Sequence, residues 1–246
     1  MIDFTVITLR SVTSTQAWVA DWAAMDAREG LALIAREQTA GRGRLDRRWE
    51  SPPGGLYLSL LLRPGIPLAQ ANQLTMLVSL AAIDACQRVA DVRPRPKWPN
   101  DLLAEGKKLA GVLTELVSER DRLRYAIIGL GLNVNKDFDG GPLASTATSL
   151  RQLTGRELDI GRVADAFLQA LARRYDGFRA GISPHAEWAR RLEPLGRRVE
   201  VERSGQPRLV GRAVGVTPEG ALRVLDDAGG EHVIWAGDVR RSGFER

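Results

Sequence analysis

The sequence predicts an α+β fold, with a mixed or antiparallel β-sheet flanked by helices and then a small all-β unit. Three observations lead there. Apolar runs of strand length and helix length follow one another irregularly through residues 4–192, without the regular βαβ rhythm of a parallel sheet. Near Pro194-Leu195-Gly196 the texture changes, and only short apolar runs separated by Gly, Pro and Asp turns remain. At 246 residues the chain falls between one and two domains of ~150 residues. The expected division is 1–194 and 195–246.

The elements follow in order. Phe4–Leu9 alternates loosely and predicts a short strand. Thr13 and Gln16 have capping-box spacing for a helix over 15–27. Leu31–Glu37 is a compact apolar run, expected as a buried strand. Residues 39–55, rich in Gly, Arg and Pro, read as a long loop, and Leu56–Leu62 as a strand. Ala69–Ala90 is apolar nearly all round, the pattern of a buried helix. Pro94, Pro96 and Pro99 exclude a helix and leave an extended segment entering a turn at Asn100-Asp101. A short polar turn around Lys107 leads into two neighbouring strands, Leu109–Val117 and Tyr125–Val134. Val163, Phe167, Ala170, Leu171, Tyr175 and Phe178 recur at helical spacing and predict a helix over 161–179; a second is expected over 184–192. The tail reads as strands over 198–203, 208–216, 221–226 and 231–235. Turns fall at Ser204-Gly205, Pro218-Glu219-Gly220 and Asp227–Gly230, the spacing of a small barrel or sandwich.

Composition narrows the function. Hydrophobic residues make up 44 % and charged residues 26 %, which excludes wholesale disorder. The net charge of +5 suits a phosphate-rich partner but is too small for a histone-like protein. One cysteine, Cys86, excludes an intrachain disulfide, and with His185 and His232 it cannot build a His/Cys zinc site. No leader pattern follows Met1, and no run reaches the ~18 apolar residues of a membrane span, so a cytoplasmic chain without a membrane partner is expected. Of the 35 basic residues only Lys97, Lys107, Lys108 and Lys136 are lysine. Three of them fall between 97 and 108, as expected where an ammonium point charge is used rather than a guanidinium fork.

Four segments carry candidate chemistry. In Gln38-Thr39-Ala40-Gly41-Arg42-Gly43-Arg44, continuing to Arg47, Arg48 and Trp49, glycines permit close backbone approach and arginines offer donors to phosphate or carboxylate. Trp49 is suited to stacking on a base or covering an apolar ligand. A flexible basic surface loop explains the same residues. Lys97-Trp98-Pro99-Asn100-Asp101-Leu102 and Lys107-Lys108-Leu109-Ala110-Gly111 bring ammonium groups and the oxygens a metal-bound phosphate uses. A plain turn competes at Asn100-Asp101, and a core anchor is the better reading of Trp98. Gly129-Leu130-Gly131-Leu132-Asn133 ends an apolar strand, where the glycines either bend the sheet or admit a ligand and Asn133 offers hydrogen bonds to a phosphate. Ser14-Thr15-Gln16 offers hydroxyls to a small-molecule carbonyl as well as a helix cap. Cys86 lies in an apolar run, and neither histidine is near a motif. Covalent and general-base chemistry therefore yield to positioning and cationic stabilisation of phosphate.

Together these segments, in this order, resemble the biotin protein ligases, over most of residues 10–240. The combination is specific, although none of the motifs is so alone. The resemblance implies a class II synthetase-like catalytic domain and an SH3-like β-barrel C-terminal domain. It implies an ATP- and Mg²⁺-dependent reaction in two steps. The biotin carboxylate attacks the α-phosphate to give biotinyl-5′-AMP and pyrophosphate, and a lysine of the biotin carboxyl carrier protein or domain then displaces AMP. Matching positions assign Ser14, Thr15, Gln16 and Gln38 to the biotin ureido ring, with Gly41, Gly111 and Gly129 along the biotin. Arg42 and Lys108 fall at the biotin carboxylate and α-phosphate, with Lys97 as a further catalytic cation. Arg44, Arg47, Trp49, Asn100, Asp101, Gly131 and Asn133 fall at the nucleotide, with Asp101 also toward the metal. The loop 39–48 is expected to order over the adenylate and shield it from water.

Two departures stand out. Many relatives continue the arginine loop with Arg-Gly, where this chain has Leu45-Asp46. Asp46 places a negative charge beside a phosphate loop, so weaker adenylate retention or a different closure is expected. Ser14 also comes too early for an N-terminal winged helix, so no DNA-binding or repressor role is expected, while a homodimer through the main sheet is. A lipoate ligase is the neighbouring alternative, and the polar Ser14/Thr15/Gln38 group suits a ureido ring better than a dithiolane. A basic nucleic-acid-binding protein is the alternative of another class. Its steep salt dependence is a clear signature, but 6 % aromatics and nearly balanced charge argue against it.

Overall fold

The computed structural model describes residues 1–193, 195–203 and 205–241. Pro194 at the expected boundary and Ser204 in an expected turn lie outside the described residues, as do 242–246. The chain forms β1 (Thr5–Val12), α1 (Thr15–Ala24), β2 (Leu31–Gln38), β3 (Gly55–Leu62), α2 (Asn72–Ala90), β4 (Arg95–Lys97), β5 (Asp101–Ala104), β6 (Lys107–Glu119) and β7 (Arg122–Asn133). Then come α3 (Leu150–Thr154), α4 (Ile160–Arg179), α5 (His185–Arg191), β8 (Arg198–Arg203), β9 (Gln206–Val216), β10 (Leu222–Asp226), β11 (Glu231–Ile234) and β12 (Asp238–Arg241).

The first sheet has seven strands in the order β1-β2-β3-β7-β6-β5-β4. The β1–β2 pair is parallel and the other pairs are antiparallel, so the sheet is mixed, as expected. Period-two alternation divides its side chains between two faces. Leu56, Leu58, Leu60 and Leu62 of β3 join Ile128, Leu130 and Leu132 of β7 in a core shared with α2 and α4. Leu61, Tyr125 and Ile127 face the other way and meet Val19 and Ala23 of α1. α1 is short, so that second face is covered only in part, and the site lies where the cover ends.

The second sheet has the order β11-β10-β9-β8-β12, antiparallel throughout. Val199, Val201, Leu209, Ala213, Leu222, Val224, Ile234 and Val239 supply its buried face and join the main core. Side chains also tie the two sheets together. Trp98 is buried and donates its Nε1–H to the Gly220 carbonyl at 2.9 Å, so it is the core anchor its sequence context suggested. Asn72 donates to the Glu219 carbonyl at 3.1 Å.

Several elements differ from expectation. The N-cap position of α1 is Ser14, not Thr13, without a side-chain cap bond, and the helix ends at Ala24; Gln16 donates to the Ile127 carbonyl instead of closing a capping box. The polar turn around Lys107 is the end of a hairpin, in which β5 pairs with β6 around Glu105-Gly106, both with positive φ. α2 starts at Asn72, behind a 3₁₀ turn at Leu68–Gln70. α3 and β12 were not anticipated: at five and four residues they are too short for periodicity to register.

Candidate active site

On the α1 side of the sheet, past the helix N-terminus, large side chains give way to small ones. Gly111 of β6 stands opposite Gly131 of β7, and Ser59 of β3 opposite Gly129. This small-residue floor underlies a cavity of about 350 Å³. A Cβ at Gly131 would come within 2.5 Å of the Trp49 ring, and one at Gly129 within 2.5 Å of Gln16 Oε1. Both glycines are therefore required by what lies on them.

The deep end of the cavity is polar and built on regular structure. Ser14, Thr15, Gln16 and Ser59 are all buried. Gln38 Oε1 accepts from the Thr15 amide at 2.8 Å and from Thr15 Oγ1 at 3.1 Å, while its Nε2 donates to Ser51 Oγ at 2.8 Å. Thr15 Oγ1 and Ser59 Oγ are 2.8 Å apart, and Ser59 Oγ donates to Gln16 Oε1 at 3.1 Å. Gln16 Nε2 is fixed on the Ile127 carbonyl at 3.0 Å. Two hydroxyl protons thus serve three oxygen–oxygen contacts, which leaves the cluster rich in acceptors. The Ser14 hydroxyl is buried without a partner, a state that costs free energy unless a ligand satisfies it.

The outer end is cationic. Leaving β2, the chain folds residues 39–49 back on themselves: the Trp49 amide donates to the Gly41 carbonyl at 2.9 Å and the Gly43 amide to the Arg47 carbonyl at 2.7 Å. At the tip, Leu45 and Asp46 both adopt left-handed backbone, φ 55° and 57°. Four of the cations meet a partner. Arg42 lies 3.1 Å from Glu115 of β6, and Arg44 donates to Asn100 Oδ1 at 3.3 Å. Arg47 grips both carboxylate oxygens of Asp238 on β12, one of them at 3.2 Å. Lys108 Nζ is 2.7 Å from Asp101 Oδ1. Burial lowers the pKa of Lys97 and of Arg44, so anionic oxygen placed there relieves a desolvation cost.

Trp49 bridges the two ends. Its ring lies over the glycine floor, with Lys108 Nζ at 5.2 Å and Lys136 Nζ at 5.7 Å from the centroid. Its Nε1–H is buried and unpartnered. Lys136 also lies 5.4 Å from the Tyr57 ring and donates to the Glu50 carbonyl at 2.6 Å; burial pushes its pKa down to about 8.

The cavity gathers Ser14, Thr15, Gln16, Gln38, Arg42, Arg44, Arg47, Trp49, Lys97, Asn100, Asp101, Lys108, Gly111, Gly129 and Gly131. Two candidates fall outside its lining. Gly41 supports the loop from within: a Cβ there would meet the Trp49 carbonyl at 2.4 Å. Asn133 is buried and donates Nδ2 to the Thr148 carbonyl at 3.1 Å and, more weakly, to Lys108 O at 3.4 Å. It pins the chain at 148 to β6 rather than presenting its amide to the cavity. Three polar lining residues were missed. Ser59 carries a signal, as the lone polar residue in the apolar run Leu56–Leu62. Asp238 and Arg240 arrive from the second sheet, and nothing local marks them.

Among the described residues no three His, Cys, Asp or Glu side chains converge as a metal site. Asp101 brings a carboxylate to the cation-lined end near Lys108, and Asp238 brings a second, held by Arg47. That suits Mg²⁺, which takes one or two protein carboxylates and completes its shell with phosphate and water. No helix is long and apolar enough to cross a membrane among the described residues.

Comparison with known proteins agrees with this architecture. Residues 8–133 match the biotin/lipoate A/B protein ligase family, and residues 195–240 match the biotin protein ligase C terminal domain. The bifunctional ligase/repressor BirA of Bacillus subtilis is 37 % identical over 233 residues, covering 93 % of this chain and 71 % of that one. The biotin–[acetyl-CoA-carboxylase] ligase of Mycobacterium tuberculosis is 35 % identical over 217 residues, 86 % of this chain and 79 % of that one. The structure of biotin protein ligase from Aquifex aeolicus in complex with biotin and ATP superposes with a TM-score of 0.82 at 32 % identity, covering 97 % and 99 % of the two chains.

Proposed function

Since this chain belongs to the biotin/lipoate A/B protein ligase family, we propose that the two ends of its cavity divide the substrates of a biotin protein ligase between them. The enzyme activates biotin with ATP as biotinyl-5′-AMP and transfers the biotinyl group to a carrier protein. The observation that carries the division of labour is the deep cluster. A ureido ring offers two N–H donors and one carbonyl. Gln38 Oε1, Gln16 Oε1 and the Thr15 and Ser59 hydroxyls supply acceptors, and the unpartnered Ser14 hydroxyl supplies a donor. A dithiolane makes no use of that pattern, which favours biotin over lipoate.

The valeryl chain then runs over Gly111 and Gly129 and brings its carboxylate to Arg42 and Lys108. A carboxylate oxygen attacks the α-phosphorus, and the bond from phosphorus to the bridging oxygen of pyrophosphate breaks. Both reactants are anions, so the barrier is largely electrostatic. Lys108 bridges the two, and Lys97, Arg44 and Arg47 meet the charge that accumulates on the phosphates. Lys108, Arg44 and Arg47 exchange their present partners, Asp101, Asn100 and Asp238, for phosphate oxygen as the substrates bind, so the reorganisation precedes the step itself. Asp101 and Asn100 would hold Mg²⁺, which when bound would supply neutralisation of phosphate charge. Trp49 covers the adenylate, with its Nε1–H free to donate to it. In the second step a carrier lysine amine attacks the acyl carbon and AMP leaves. No side chain of the enzyme becomes acylated along this route.

We assign residues 1–194 to the biotin- and ATP-binding domain and 195–246 to the C-terminal domain. We place the reaction in the cytoplasm, with two copies pairing through the free edge of β1. Pyrophosphate exchange tests the substrate assignment, run with biotin, with lipoate and with neither acid. Exchange with biotin alone is expected; exchange with lipoate alone overturns the assignment.

A further inference from the structure

We propose that Asp238, on the last strand of the second sheet, is a positioning residue that holds the loop 39–49 closed by gripping Arg47. The proposal rests on the function given above and adds a residue from outside the arginine motif.

Beyond Arg47, the loop is fastened to the body by few side chains, Arg42 on Glu115 and Arg44 on Asn100. Its root is secured by backbone bonds from Thr39 to Val12 and from Ala40 to Thr13. Beyond that, the Trp49–Gly41, Gly43–Arg47 and Arg48–Thr39 bonds are internal to the loop and do not fix it to the body. Leu45, the one large apolar side chain at the tip, is 66 % exposed and anchors nothing. Leu45 and Asp46 sit in left-handed backbone that side chains other than glycine adopt at a cost. Three side-chain contacts carry the loop to the rest of the molecule: Arg42 to Glu115, Arg44 to Asn100, and Arg47 to Asp238. The last is bidentate, adjoins the tip's left-handed pair, and spans 191 positions of sequence to the second sheet.

Asp238 is also placed for an exchange of partners. It lines the cavity beside Val239 and Arg240. Its carboxylate is held below its ordinary pKa first by Arg47, then by the charges of Arg47, Arg44 and Lys97. A polyphosphate entering among these cations carries more charge than one carboxylate and draws Arg47 onto itself. When pyrophosphate leaves, Asp238 takes Arg47 back, and the loop stays shut over the adenylate until the carrier arrives. Arg47 is exposed, so the pair is readily exchanged and its contribution is modest.

The test uses the whole enzyme. The loop offers trypsin Arg42, Arg44, Arg47 and Arg48, and cleavage there without substrates reports opening whether or not the enzyme is active. Asp238→Asn is expected to speed cleavage at Arg42, Arg44 and Arg48 about two- to fivefold, the range for an exposed pair. It should also raise the fraction of biotinyl-5′-AMP that passes a filter retaining the protein. Asp238→Glu, which keeps the carboxylate, should restore both. Arg47→Ala should match Asp238→Asn, and the double variant should be no worse than either alone. If Asp238→Asn unfolds the second sheet, cleavage appears there too, and Arg47→Ala, which leaves that sheet intact, decides. Wild-type loop cleavage in Arg47→Ala, wild-type adenylate retention in Asp238→Asn, or additive effects in the double variant would overturn the proposal. Loss of pyrophosphate exchange with biotin in the unmodified enzyme would instead overturn the function beneath it.

Discussion

The deep end of the cavity and its outer end are built by opposite means. At the deep end Thr15, Gln16 and Ser59 stand on a helix and a central strand, buried and fixed by neutral hydrogen bonds to one another and to the backbone, with the Ser14 hydroxyl buried beside them. At the outer end Arg42, Arg47 and Lys108 reach in on long side chains, each held by a single carboxylate. The first arrangement recognises a fixed, uncharged shape, and any rearrangement leaves a buried polar atom unpaired. The second must release phosphate after binding it, and ion pairs open to water exchange partners at little cost. Specificity is placed where the protein is rigid, and charge transfer where it can give way.

The largest expected effect breaks the outer end alone. Lys108→Ala or Arg42→Ala should lower pyrophosphate exchange about 10²–10³-fold, the loss typical of removing one preorganised stabiliser of transition-state charge. Thermal melting should stay near that of the parent. Unchanged turnover in both variants would sink the assignment of roles. A change at the deep end should behave differently. Ser59→Ala should weaken biotin binding about tenfold by calorimetry, because Thr15 and Gln16 lose a shared partner, while the KM for ATP stays put. If both constants move together, the two ends are not separate. The smallest effect concerns the lysine behind Trp49. Its folded pKa, about 8, lies below the ordinary 10.5, so the unfolded chain holds more protons between those values. Stability therefore gains a rising contribution with pH across that window. Urea unfolding at about pH 7.5 and about pH 9.5 should show less of this rise in Lys136→Met.

How much of this was legible in the sequence differs between the two ends. Leu31–Glu37, Leu56–Leu62 and the 161–179 helix appear close to where their patterns place them, because each buries a full face. The arginine loop, the lysine segments and the glycine floor were legible as chemistry, since such residues have few structural uses in those positions. Ser59 was within reach as the one small polar residue in an apolar run. Thr13 misled because its spacing to Gln16 mimics a local cap, while Gln16 is taken by a carbonyl 111 positions away. Asp238 had no local signal, since its meaning depends on an arginine brought beside it by the packing of two sheets.

The distribution of amines has a practical consequence for reagents. Lys97 and Lys108 line the cavity, Lys136 sits behind Trp49, and Lys107 adjoins Lys108 with its Nζ on the Ala144 carbonyl. The sequence contains no other lysine. A succinimidyl ester applied to this protein therefore has two kinds of target, the α-amine of Met1 and the neighbourhood of the active site. Coupling through lysine, routine for most enzymes, would here fall on and around the candidate catalytic pocket.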